Sequence, residues 1–216
     1  MIGGHTLEGR DGAGLALTLT VNGLAPPERH WRKGPLQPGD ALVLTRPIGT
    51  GVLFAAANGA AGRPEWLDGA LAVMQQSQAP LVEVLAAHGC SACTDITGFG
   101  LLGHLGEMLA VSAAVEVEPE GVAIPALPGA LSLLTQGYAS TLAPSNGGDV
   151  DALRGLVHFQ DPGLLGSTLE ALLIDPQTCG PLLAALPLEC AEKAVRALRE
   201  AGFPQAAVIG RVRARS

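Results

Sequence analysis

The chain has 216 residues, 48% of them apolar and only 15% charged, which is enough apolar material for a packed core and excludes a mostly disordered chain. A net charge of −7 argues against a partner held through nucleic-acid phosphates, and aromatic side chains at 3% give no stacking platform for single strands. The start of the chain carries no basic, apolar leader, and no apolar run approaches a membrane span, so a cytoplasmic protein is expected.

Residues 15–21 alternate, with Leu15, Leu17, Leu19 and Val21 on one face, and predict a half-buried strand. Pro26-Pro27, the polar stretch 28–33, and Pro35, Pro38 and Gly39 read as a linker. Residues 41–44 predict a short strand, and Gly49 and Gly51 a tight turn into a helix starting near Val52. Trp66, Leu67, Ala70, Leu71 and Met74 recur at helical spacing, with Pro80 separating this helix from another that Gly89 closes. Val115 and Val117 alternate with Glu116 and Glu118 as a strand, and residues 131–134 predict a short helix behind Pro128-Gly129. Residues 169–174 and 182–186 bracket Asp175-Pro176-Gln177 and suggest a hairpin. Residues 188–201 predict an amphipathic helix stopped by Gly202. Residues 207–212 predict a last strand, with Arg211, Arg213 and Arg215 on an exposed edge or tail. Helices and strands mix without a strict βαβ rhythm, which favours an α+β domain.

Four cysteines in a chain of this character read as reduced thiols. Cys90 and Cys93 form a C-x-x-C pair that reads as small buried side chains ahead of half a zinc site or a redox pair, because Cys179 and Cys190 supply no second close pair. The segment 93–108 is richer in chemistry. Thr94, Asp95 and Thr97 place three oxygen side chains in four positions. Gly98 and Gly100 then free the backbone ahead of a helix whose core face holds Leu101, Leu102, Leu105, Met108 and Leu109. Residue types alone leave two readings of Asp95 open: a ligand of a hard cation such as Mg2+, or a cap of the turn.

The run CTDITGFGLLGH, residues 93–104, resembles the signature of the selenophosphate synthetases (selenide, water dikinases), in the aminoimidazole ribonucleotide synthetase-like superfamily. Gly3-Gly4-His5-Thr6, the stretch 38–51 (PGDALVLTRPIGTG) and Asp175-Pro176-Gln177-Thr178 are similar to further motifs of that family, in the same order, so the likeness covers nearly the whole chain. The resemblance implies that the chain is the C-terminal part of such an enzyme. Residues 1–34 would be a remnant of the N-terminal ATP-binding sheet plus linker, and residues 35–216 the C-terminal domain. It implies a reaction of ATP, selenide and water giving selenophosphate, AMP and phosphate, in a homodimer with no nucleic-acid or membrane partner. Asp95 would bind the Mg2+ that serves ATP, and Gly4, His5 and Thr6 would touch ATP from the neighbouring subunit. His104, beside Glu107 on its helix, is expected to make an ordinary hydrogen bond.

No catalytic residue is assigned, because the family's glycine-rich segment with its Cys or selenocysteine and Lys finds no counterpart ahead of Gly3. The chain alone is therefore expected to be inactive. A sister enzyme such as thiamine-monophosphate kinase or the hydrogenase-maturation dehydratase, or a non-catalytic dimerising module, are the alternatives. Two departures from the family pattern stand out: Cys179-Gly180-Pro181 where Ser-Gly-Gly is common, and Gln78 where Asn is common.

Overall fold

The structure, a computed structural model, describes residues 19–20, 22–24, 30–150, 153, 155–160, 162–164 and 166–215. The chain divides into a unit Met1–His30 and a compact unit Trp31–Ser216. Of the first unit only six positions are described. Leu19 and Leu24 are exposed there, and the expected strand at 15–21 lies mostly outside the described residues.

The larger unit is built on one five-stranded sheet of β1 (Asp40–Leu44), β2 (Ala92–Asp95), β3 (Val115–Pro119), β4 (Leu182–Pro187) and β5 (Ala207–Ala214). Their order is β2-β4-β1-β5-β3, and every neighbouring pair is antiparallel. The helices are α1 (Thr50–Asn58), α2 (Pro64–Gln75), α3 (Ala79–Ala87), α4 (Gly100–Ala110), α5 (Ala130–Thr135), α6 (Ala143–Val150), α7 (Thr168–Ile174) and α8 (Leu188–Glu200). This is the expected α+β mixture.

Alternation along the strands sends side chains to two separate cores. Leu42, Leu44, Leu183 and Ala185 face the larger one, with residues of α1, α4, α5 and α7. Ala41, Val43, Ala184 and Leu186 face the smaller, with Leu81 and Leu85 of α3 and Ala191, Ala194, Val195 and Leu198 of α8. The central strands are therefore covered on both sides, which is why β1 and β4 read as nearly unbroken apolar runs. Each fully buried leucine contributes about 1.5–3 kcal/mol to this arrangement.

Three expectations need correction. Residues 169–174 form α7 rather than the first arm of a hairpin: Ser167 caps the helix, its Oγ accepting from the amides of Leu169 (3.2 Å) and Glu170 (3.3 Å). Next, β5 is not an edge strand, since it pairs with β1 on one side and β3 on the other. Arg211 and Arg213 stand opposite Glu118 and Glu116, and Arg213 Nε donates to Glu118 Oε2 at 2.9 Å, so cross-strand charge pairing explains them. Finally, the linker is docked from Trp31 onward. Trp31 packs on the smaller core, Lys33 Nζ donates to Glu107 at 2.6 Å, and buried Leu36 donates its amide to Ser112 Oγ at 2.8 Å.

Candidate functional site

Strand β1 ends at Leu44, β2 ends at Asp95 and β4 begins at Leu182, and the antiparallel registers put all three at one end of the sheet. The three motif segments that leave these strands are tied together there. Gln177, almost fully buried, is the central tie. Its Oε1 accepts from the amides of Gly49 (2.7 Å) and Thr50 (3.1 Å) and from Thr50 Oγ1 (3.2 Å), while its Nε2 donates to the Asp175 carbonyl (2.9 Å). Thr50 Oγ1 in turn accepts from the Thr178 amide at 2.9 Å, and the Gln177 amide donates to the Thr97 carbonyl at 2.9 Å.

Two glycines allow this closeness. A Cβ on Gly51 would collide with the Pro176 carbonyl, and one on Gly180 with the Ile96 carbonyl. Asp175 is fully buried, and its carboxylate accepts from Ser140 N (2.8 Å) and Ser140 Oγ (2.9 Å). Burial pushes its pKa above the ordinary range, although the Ser140 hydrogen bonds oppose the rise.

Arg46 is also buried, with NH1 donating to the Val73 carbonyl (2.6 Å) and NH2 to the carbonyls of Cys179 (2.5 Å) and Gly180 (2.7 Å). Burial lowers its pKa, with the nearby Cys179 sulfur working the other way. Gln78, the residue that departs from the family's Asn, donates from Nε2 to the same Gly180 carbonyl at 3.1 Å. The Cys179-Gly180-Pro181 departure is thus accommodated by carbonyls rather than amides. Pro181 has no amide to give, but its carbonyl accepts from Ile96 N at 2.9 Å, and Cys179 takes a positive φ of 50°.

Asp95 differs from all of these. It is the last residue of β2, its side chain is exposed, and among the described residues its carboxylate makes no hydrogen bond or ion pair. The loop beyond it is held from behind. Asn146 of α6 donates to the carbonyls of Gly98 and Ile174, both at 2.9 Å, and Gly100 enters α4 at φ 69°. Of the two loop glycines, only Gly100 needs that freedom. All five expected core residues of α4 are buried. His104, also buried, bridges Glu107 and the loop: its Nδ1 donates to Glu107 Oε2 (2.8 Å) and its Nε2 meets Thr97 Oγ1 (3.0 Å). This is the ordinary hydrogen-bonding role expected of it. Desolvation would raise the Glu107 pKa, but the hydrogen bonds from Lys33 and His104 outweigh it and hold the carboxyl below its usual value. Exposed Phe99, with Gly103, Glu107 and Asn146, lines an open cavity of about 240 Å3 beside this loop.

Residues 37–216 match the family described as AIR synthase related protein, C-terminal domain. The chain belongs to that family. The selenide, water dikinase of Desulfitobacterium hafniense (strain Y51) is 38% identical over 213 residues, covering 98% of this chain and 59% of the relative. The chain thus spans about three fifths of the length of that relative. Among solved structures, hydrogenase maturation protein HypE is similar at a TM-score of 0.61 and 20% identity, covering 88% of this chain and 49% of that one. A structure of HypE in complex with ATP is similar at a TM-score of 0.59 and 19% identity, covering 85% and 45%. At such identities the likeness to HypE concerns the fold.

Gly4, His5 and Thr6 lie outside the described residues. Among the described residues no cluster of three or more His, Cys, Asp or Glu is placed to hold a metal ion. A single outward carboxylate at a strand end fits one ligand of a Mg2+ that takes its remaining oxygens from a nucleotide and water. No helix among the described residues is long and apolar enough to cross a membrane. Sequence reasoning missed Arg46, Thr50, Ser140 and Asn146 as supports of this end of the sheet. Their partners lie up to 134 positions away, and no local pattern announces them.

Proposed function

We propose that this chain supplies the C-terminal domain of a selenide, water dikinase, making selenophosphate, AMP and phosphate from ATP, selenide and water. The observation that carries this is Asp95: an exposed carboxylate at the end of β2 with no hydrogen bond or ion pair among the described residues, beside a loop that Thr97, Gly100 and Asn146 fix from behind. A rigid support beside an exposed acidic group suits metal-assisted phosphoryl transfer, where positioning and charge neutralisation do most of the work. Names at 38% identity favour the selenium branch over the sister enzymes, whose HypE representative stands at 20%.

In this reading Asp95 would hold a Mg2+ bound with ATP through one carboxylate oxygen, and that ion would supply charge neutralisation at the phosphates. Gly4, His5 and Thr6 would contact ATP across a homodimer, through amides that suit phosphate oxygens. AMP formation from ATP should be measured with Mg2+ and selenide, for the chain alone and after adding the N-terminal segment of the D. hafniense relative. AMP is expected only in the mixture, only with selenide, and at least about 100-fold less with Asp95→Asn. Selenide-independent AMP formation, or a mixture that tolerates Asp95→Asn, would overturn the reading.

A further inference from the structure

The last turn of α2, the segment that follows β1 and the turn between α8 and β5 border an open cavity of about 320 Å3. Pro47, Ala72, Val73, Phe203 and Pro204 give it apolar walls, and among the described residues no acidic side chain lines it. Gln76, also in the wall, ties two of the bordering elements together, its Nε2 donating to the Gly202 carbonyl at 2.9 Å. The charged group in the wall is Arg46, only 2% exposed.

Most of the Arg46 guanidinium has a structural task. Nη1 caps the last turn of α2 through the Val73 carbonyl, and Nη2 holds the carbonyls of Cys179 and Gly180. Those tasks leave the Nε–H, which is buried and has no acceptor among the described residues. No carboxylate among them stands within ion-pair distance either: their ion pairs involve Lys33, His104, His158 and Arg213. A buried charge is costly unless it is paired, and carbonyl dipoles answer only part of it. An apolar cavity therefore adjoins a buried cation that lacks both a counter-ion and one hydrogen-bond acceptor.

We propose that this cavity binds a small carboxylate with an apolar body, the anionic end against Arg46 and the body between Val73, Phe203 and Pro204. The carboxylate supplies the missing charge and an acceptor for Nε–H, and a guanidinium suits its planar pair of oxygens. The apolar walls specify the rest of the ligand. They gain from burying a hydrocarbon body, whereas inorganic phosphate would bring its remaining oxygens against them. A volume near the lower end of ligand pockets, which run from roughly 300 Å3 upward, limits the body to one small ring or a branched chain. Because the same guanidinium holds the Cys179 and Gly180 carbonyls, an acid drawn to Arg46 also acts on the turn after Gln177. Binding there does not require the reaction proposed above.

The test is a titration of the isotope-labelled full chain with phenylacetate, followed by nuclear magnetic resonance of the backbone amides and of the Arg46 Nε–H. Saturable shifts are expected at the Arg46 Nε–H and at the amides of Val73, Phe203 and Gln205, with a Kd of roughly 1 mM for a ligand of this size. Phenylacetamide, the neutral isostere, should bind at least about 10-fold more weakly, and so should inorganic phosphate. Ala72 is an exposed position of α2 on the cavity wall. Ala72→Phe should therefore fill the space, leave distant resonances in place and weaken phenylacetate at least about 10-fold. Acid and amide binding alike, phosphate binding as tightly as the acid, or an Nε–H unmoved at saturation would each overturn the proposal. So would undiminished binding to Ala72→Phe, or no binding by about 20 mM phenylacetate. The comparison of acid with amide is made on the parent chain, so it decides the matter even where Ala72→Phe fails to fold.

Discussion

Gln177 and Asp95 come from neighbouring motifs at one end of the same sheet, yet they are placed in opposite ways. Gln177 is almost fully buried, and its side chain makes four hydrogen bonds, three of them with Gly49 and Thr50 of another motif segment. Asp95 is exposed, with no hydrogen bond from its carboxylate among the described residues. A motif therefore combines residues that hold the shape with residues that offer chemistry, and burial with hydrogen-bond accounting separates the two. The supporting kind should dominate stability and the offering kind activity.

The largest expected effect is on the supporting side. Gln177→Ala strands the buried amides of Gly49 and Thr50 without an acceptor. Leaving two such donors unpaired costs about 2–5 kcal/mol in all. Urea denaturation checks it, and a loss below about 0.5 kcal/mol, the range of ordinary surface changes, would mean that water replaces the side chain and the comparison fails.

Asp175 sharpens the comparison through pH. Its folded pKa is raised by burial. The folded state therefore holds this proton more tightly than the unfolded chain does, where the pKa is about 3.9. Its contribution to stability is fully present below that value and is lost as pH rises through the folded pKa. Asn has no such titration, though it gives up one of the two carboxylate oxygens that Ser140 uses. Asp175→Asn is expected to cost more stability near pH 4 than at pH 7, because only the aspartate loses stability as pH rises through its raised pKa. Denaturation curves at several pH values test this, and parallel curves for the two proteins would show that Asp175 is not the titrating group.

Much of the fold was legible because the local period and the tertiary role agree. The apolar faces of α4 and α8, the alternation in β3, and the αL glycine that opens α5 each say locally what the fold uses globally. The helix α7 was not legible from periodicity, because a short apolar run fits a strand equally well. Its start was written in a different signal: Ser167 followed three positions later by Glu170 is a capping pattern, and Ser167 does cap. The arginines of β5 were misread for want of their partners on β3, about 95 positions away. At the candidate site, resemblance pointed to Asp95 and to the motif segments but could not rank them. Gln177 drew notice only as part of a turn, because its bonds to Gly49 and Thr50 span 127 and 128 positions.

The smallest expected effect on stability falls on the residue to which the proposed function gives the largest effect on activity. Asp95 ends β2, where its backbone pairs with Leu182, and a change of side chain leaves that pairing in place. Asparagine is nearly the same size and keeps an oxygen at the same position, but it removes the negative charge. Because the carboxylate has no partner among the described residues, no hydrogen bond is lost and no buried group is stranded. Asp95→Asn should therefore shift unfolding free energy by less than about 0.5 kcal/mol in either direction. The same variant is the one expected to abolish Mg2+-dependent turnover in the completed enzyme. Stability and activity measured on one preparation give the sharpest test, since the comparison requires them to separate. If Asp95→Asn destabilises the chain by as much as Gln177→Ala, Asp95 is another support of the fold, and its loss of activity would say nothing about a metal.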